Sequence, residues 1–194
     1  MKYYAVRKGK VPGIYTTWDE CKTQVHGFKG AIYKSFKNIK DAENFMDPKE
    51  EKPSIEDGAV IAYVDGSYRE KDHIYGAGVV YMTEEGQEEF FKAYKDAYAD
   101  HRNVAGEVKA SELAIERAIE EKRKKIYIHH DYQGIASRAQ GEWKTNNTLT
   151  KSYKAFIDQA KEKIEIHFIK VKGHSNDKYN DLADKLAKKA VGIE

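Results

Sequence analysis

The chain has 194 residues, with 34 Lys+Arg against 32 Asp+Glu, a formal net charge of +2, and 40% hydrophobic and 12% aromatic residues. That length suits one ordinary domain, or one domain with a small module, and the aromatic content with only 3 prolines excludes a disordered chain. The longest apolar run, residues 59–64, is far short of the ~20 residues that cross a bilayer, so no membrane partner is expected.

The N-terminus, MKYYAVRKGK, lacks the apolar stretch of a signal peptide. A single cysteine, Cys21, cannot close an intramolecular disulfide. Both point to a cytoplasmic location. The near-neutral total argues against a nucleic-acid partner, but an average hides distribution. Residues 1–46 carry 9 basic and 4 acidic side chains, a net of +5; residues 47–58 carry 2 and 5, a net of −3; residues 59–194 carry 23 of each. The middle segment holds Pro48 and Pro53 and almost no large apolar residue. It has linker composition. The expected organisation is therefore a module over 1–46, a flexible acidic linker over 47–58 and a larger domain over 59–194.

In the first module, residues 2–7 read as a strand and residues 14–17 as its return after the Val11-Pro12-Gly13 turn. Thr17 is placed to cap a helix from Trp18, with Glu20 as capping-box partner. Gly27 and Gly30 break that helix, residues 31–36 form another strand, and Asn38 caps a last helix. The result is a small β-β-α-β-α unit with a thin core. Its surface mixes rings and bases: Tyr3, Tyr4, Arg7, Lys8, Lys10, Trp18, Tyr33, Lys34 and Lys37. Rings pack on sugars or bases, and cations contact phosphates; the same rings could equally be the core of a small module. Order and spacing add weight. The stretch YYAVRKGKVPGIYTTWDECKTQVHGFKGAIYKSF resembles the RNA–DNA hybrid-binding domain of type 1 ribonucleases H, a module also found in viroplasmin. The resemblance implies that Trp18 and Tyr33 meet deoxyriboses of the DNA strand, Lys34 meets a phosphate, and Tyr4 assists. Ser35 stands where that family often has a second lysine. Cys21 reads as a buried helix residue.

In the second module, residues 59–64 form an apolar strand ending at Asp65. Residues 74–82 and 88–98 read as two further strands joined by a hairpin turn. Residues 104–121 have helical periodicity, with Val108, Ser111, Ile115, Ala118 and Ile119 on one stripe. A short strand over 126–130 leads to Asp131. Helices are expected over 131–139, 148–161 and 177–191, and a strand over 164–171. The fold class is α/β, a mixed sheet flanked by helices.

Four acids then stand out. Asp65 and Asp131 follow strands, where open α/β sheets gather their sites. Glu107 opens the long helix and Asp184 lies in the last one. Alone, each has an ordinary structural explanation in a turn, a helix dipole or a solvated face. Together at one sheet edge they would repel one another, which raises pKa values, and would offer hard oxygens to Mg²⁺. The order also matches a known family. Tyr63-Val64-Asp65-Gly66-Ser67, Asn103-Val104-Ala105-Gly106-Glu107, Ile128-His129-His130-Asp131, and Lys172-Gly173-His174-Ser175 followed by Asn180 and Asp184 resemble the ribonuclease H catalytic domain. The resemblance implies a five-stranded mixed sheet and two-metal hydrolysis of the RNA strand of RNA–DNA hybrids. The cofactor would be two Mg²⁺, with Mn²⁺ a possible substitute, held by Asp65, Glu107, Asp131 and Asp184. His174 would aid catalysis or product release, and Ser67, Asn103 and Asn180 would contact nucleic acid. His129 and His130 read as strand residues near the site, since imidazole is a poor match for Mg²⁺. No obligate protein partner is evident.

Overall fold

The computed structural model describes residues 2–46, 54–142, 144, 147–171 and 177–193. They fall into two compact units, divided between residues 53 and 54.

The first unit contains β1 (Tyr3–Lys8), β2 (Gly13–Tyr15), α1 (Trp18–Val25), β3 (Ile32–Phe36) and α2 (Ile39–Met46). The antiparallel sheet has the order β2-β1-β3. Thr17 starts α1 with a complete capping box. Its hydroxyl accepts from the Glu20 amide at 3.3 Å, and its own amide donates to the Glu20 carboxylate at 3.2 Å. Asn38 likewise accepts from the Asp41 amide at the start of α2. Alternation along β1 sends Val6 toward α1, where it packs with Cys21 and Val25. Arg7 points to the other face, where its guanidinium lies 4.4 Å from the Phe45 ring and donates to the Phe45 carbonyl. One helix therefore covers each face.

The second unit contains β4 (Ala59–Arg69), β5 (Ile74–Thr83), β6 (Gly86–Tyr94), α3 (Asn103–Glu120), β7 (Lys125–His130), α4 (Gly134–Ala139), α5 (Thr148–Ala160), β8 (Glu165–Lys170) and α6 (Lys178–Ala190). The sheet order is β6-β5-β4-β7-β8. β6, β5 and β4 are antiparallel, while β7 and β8 run parallel to β4. Val60, Ala62 and Val64 face Val108, Ile115, Ile135 and Tyr153 in the main core. Tyr63 and Val80 face Ala183 and Leu186 of α6 in a smaller core. This is the mixed five-stranded sheet flanked by helices that the sequence implies.

Three details differ from expectation. β4 does not stop at Asp65: cross-strand pairing with β5 carries it on to Arg69 opposite Ile74, so Asp65 lies inside an 11-residue strand. The third strand ends at Tyr94 rather than residue 98. Beyond it Asp96 accepts from the Tyr98 amide and from the buried Tyr75 hydroxyl, which turns the chain into a 3₁₀ segment, Ala97–His101. Residues 54–58 pack with the second unit, because Ile55 finds the apolar surface around Tyr63 and Glu56 finds Lys125 at 3.0 Å. Residues 47–53 lie outside the described residues. No described helix is long and apolar enough to cross a membrane.

Candidate active site

The pairing between β4 and β7 ends at Tyr63 opposite His129. Two residues further along stand Asp65, still within β4, and Asp131, just past the end of β7. Strand alternation puts Asp65 on the α6 side of the sheet with Tyr63. Their strands no longer bond to each other there. Into this opening α3 brings Glu107 from the opposite face.

The approach of α3 depends on glycine. A Cβ on Gly66 would lie 2.2 Å from the Asn103 carbonyl oxygen and 2.4 Å from the Glu107 amide nitrogen. A Cβ on Gly106 would lie 2.3 Å from the Gly76 carbonyl oxygen. Any side chain at these positions pushes the helix off the sheet and carries Glu107 with it. On the other face Gly78, the cross-strand partner of Asp65, receives α6: its Cβ would lie 2.2 Å from the Ala183 carbonyl oxygen. That contact brings the neighbouring Asp184 toward Asp65.

Carboxylate oxygens of Asp65, Glu107 and Asp131 come within 4.8 Å of one another. Asp184 is outside that group. Its carboxylate is instead held by Lys188 at 2.7 Å, four residues on along the same helix. Asp184 stands beside the group, near enough to help push up the Asp65 pKa, with Lys188 as its partner four residues along the helix. That partner could have been read from the spacing of the sequence.

Glu107 is 7% exposed, and its Oε2 has no hydrogen-bond partner among the described residues. Burial, then repulsion from Asp65 and Asp131, pushes its pKa up to about 9, against a smaller opposing effect of Arg138. Burial also pushes Asp65 up to about 7, with Asp131 and Asp184 adding to the rise; the Gly66 amide and Lys188 oppose it. A buried, orphaned carboxylate oxygen within a cluster of mutually repelling hard-oxygen donors fits a hard divalent cation.

The neighbouring histidines are structural. His129 stacks on Tyr63 with ring centroids 4.4 Å apart, and Tyr63 also meets Tyr179 of α6. His130 is fully buried, with Nδ1 2.9 Å from the Tyr132 carbonyl oxygen. Desolvation lowers both pKa values, which favours the neutral rings. Asn103 is exposed at the first position of α3, whereas Ser67 and Asn180 are buried at 7% and 3% exposure. His174 and the motif at 172–175 lie outside the described residues.

In the first unit, Tyr4, Trp18 and Tyr33 form one aromatic surface. Ring centroids are 5.7 Å apart between Tyr4 and Trp18 and 6.0 Å between Trp18 and Tyr33. Trp18 and Tyr33 are 42% and 45% exposed, far more than a ring serving only as core would be. Lys34 is not part of that surface. It follows Tyr33 in the strand and so points to the opposite face, 5.7 Å from the Phe36 ring.

Residues 2–46 match the family model described as the ribonuclease H1 N-terminal domain, and residues 57–192 match that of RNase H. A ribonuclease H of Saccharomyces cerevisiae is 57% identical over 44 residues, which cover 23% of this chain and 13% of that protein. A ribonuclease H of Clostridium botulinum (strain Hall) is 32% identical over 145 residues, covering 68% of this chain and 95% of that protein. The crystal structure of RNase H1 from Halobacterium salinarum NRC-1 superposes with a TM-score of 0.59 at 22% identity, over 70% of this chain and 99% of that one, which supports the fold. The chain thus spans a small part of the yeast relative and nearly all of the clostridial one. With the RNase H model matched over more than half its length, the chain belongs to the ribonuclease H family of nucleases.

Proposed function

We propose that the chain is an endonuclease that hydrolyses the RNA strand of RNA–DNA hybrids and leaves 3′-hydroxyl and 5′-phosphate ends. The observation that carries this reading is the meeting of Asp65, Glu107 and Asp131, from three separate elements, within 4.8 Å. These carboxylates, with Asp184 beside them, would hold Mg²⁺, or Mn²⁺ in its place. Two such ions at one site activate a water and stabilise the leaving oxygen at phosphorus. The chain's own contribution is placement: β4 and β7 fix the two aspartates, and α3 delivers Glu107 through the gap between them. His174 assists catalysis or product release.

The +5 module over 1–46 supplies affinity. Trp18, Tyr33 and Tyr4 offer flat faces to deoxyriboses of the DNA strand, and Lys34 reaches a phosphate from the other side of the edge strand. Asn103 and Ser67 contact RNA 2′-hydroxyls near the cut, partly through backbone groups, and Asn180 also contacts nucleic acid. A tether between two nucleic-acid-binding parts raises the effective concentration of the catalytic domain on hybrid. The working compartment is the cytoplasm, and no membrane or obligate protein partner is required.

The test is incubation with RNA–DNA hybrid, duplex RNA and duplex DNA, each with and without Mg²⁺. Cleavage of the RNA strand of hybrid alone, and only with metal, is expected. Cleavage of duplex DNA, or hybrid binding without any cleavage, would overturn this reading.

A further inference from the structure

One position of β7 breaks the pattern of its own strand. Ile126, Ile128 and His130 stand two residues apart, so their side chains share one face of the sheet, and all three are fully buried. The pattern asks for a third apolar residue, and the chain supplies an imidazole. A polar ring in a core needs a hydrogen bond to offset its lost hydration. Local rules broken in this way are expected at functional or strained positions.

The bond is made two residues on. His130 Nδ1 is 2.9 Å from the Tyr132 carbonyl oxygen. A carbonyl only accepts, so Nδ1 carries a proton and donates. The same carbonyl accepts from the Ile135 amide at 3.1 Å, at the turn into α4. The other ring nitrogen, Nε2, is shielded from solvent and has no hydrogen-bond partner among the described residues. Phe168 of β8 meets the ring edge to face, with centroids 6.1 Å apart. The His130 carbonyl in turn accepts from the Val171 amide at 2.9 Å. Asp131 is the residue between these anchors. Before it, the end of β7 is tied to the chain beyond β8; after it, the imidazole ties back the carbonyl that also starts α4.

We propose that His130 is a positioning residue for Asp131: its Nδ1–H bridge across the aspartate fixes the backbone from which that carboxylate joins Asp65 and Glu107. It touches no reacting atom and acts through a hydrogen bond, not through charge. That Asp131 then serves a divalent ion rests on the function proposed above; that the bridge fixes its backbone does not.

Asparagine and glutamine separate the two ring nitrogens. The Asn amide nitrogen falls near the place of Nδ1, and the Gln amide nitrogen near that of Nε2; Phe keeps the bulk with no donor. The full chain is compared as wild type, H130N, H130Q and H130F. In EDTA, hydrogen exchange at the Ile135 amide, measured against the β7 amides, is expected to speed up about ten-fold in H130Q and H130F, the scale of one lost hydrogen bond, and to stay near wild type in H130N. By calorimetry, Mg²⁺ affinity is expected to fall about ten-fold or more in H130Q and H130F, as when a group that orients a metal ligand is removed, and to stay within about three-fold in H130N. KM for hybrid should not move. Packing alone predicts the reverse order, with H130F best and H130N worst. That order, equal losses, or no loss in any variant would overturn the proposal. If the variants do not fold, nitrogen NMR of the wild-type ring decides: a protonated Nδ1 with a bare Nε2 supports the bridge, and the opposite tautomer overturns it. If the wild-type chain binds no Mg²⁺, the metal-site reading fails, and Ile135 exchange still judges the bridge.

Discussion

Gly106 rests against Gly66 so closely that a Cβ on Gly106 would come 2.8 Å from the Gly66 Cα. This contact sets the height of α3 above the sheet, and with it the position of Glu107. Gly106→Ala must therefore strain the helix–sheet contact. Overpacking of this kind costs ~1–3 kcal/mol, so a lower thermal midpoint is expected. Because Glu107 shifts with the helix, Mg²⁺-dependent cleavage should fall further than the stability loss explains. Cleavage measured well below the midpoint checks this; unchanged activity there would separate the contact from the site.

Asp65→Asn is expected to abolish cleavage and leave hybrid binding intact, since the aromatic surface belongs to the other unit. Gel-shift and cleavage assays on the same protein test both halves. Full activity from this variant would sink the assignment of the site.

The raised carboxylates give the metal-free protein a characteristic pH dependence. An ordinary carboxyl titrates near pH 4, whereas Asp65 titrates near 7 and Glu107 near 9 in the folded chain. Between the unfolded and folded values the native state binds more protons than the unfolded state. Stability from these groups is thus fully present below about pH 4 and is lost as pH rises toward 7 and 9. Urea midpoints in EDTA should decline across that range from these groups, and Mg²⁺ should flatten the decline. Metal binding near neutrality should also release protons, which calorimetry in buffers of different ionisation enthalpy reads directly.

Trp18→Ala removes the central ring of the aromatic surface, which touches both Tyr4 and Tyr33. Stacking of a ring on nucleic acid is worth ~1–3 kcal/mol by alanine substitution, so hybrid affinity should fall about ten-fold or more. Single-turnover cleavage at saturating enzyme should change little. Unchanged multiple-turnover kinetics on long hybrids would count against the role of the first unit. Lys34→Ala should weaken binding less and should lower its salt dependence.

Thr17→Ala removes a capping box at the start of α1. A cap of this kind contributes ~0.5–2 kcal/mol, a large share for so small a core. Selective loss of the first unit's structure, followed by hydrogen exchange at the α1 amides, is the expected result.

Much of this was legible in the sequence because the signals are local. Thr17 with Glu20, Asn38 ahead of Ile39, and the stripe on α3 each announce themselves within a few residues, and all appear in the fold. Long-range partners were harder to read. Nothing near Asp65 says that β5 will keep pairing with β4 beyond it, and nothing near residue 95 says that Tyr75 will hold Asp96. The ion pair between Asp184 and Lys188 is a competitor for a metal that becomes visible only once the site is considered together with its own helix. The side of the sheet on which Lys34 lies follows from strand alternation, which fixes it once Tyr33 is known to face out beside Trp18.

The β4–β7 ladder stops at Tyr63 and His129, while β4 remains bonded to β5 through Asp65 and beyond. Asp65 is therefore anchored from one flank and open on the other. On the proposed function, a duplex reaching the acids from the β7 side would require no strand to unpair. The acids are gathered by the pairing of the sheet and by the seating of α3 against it.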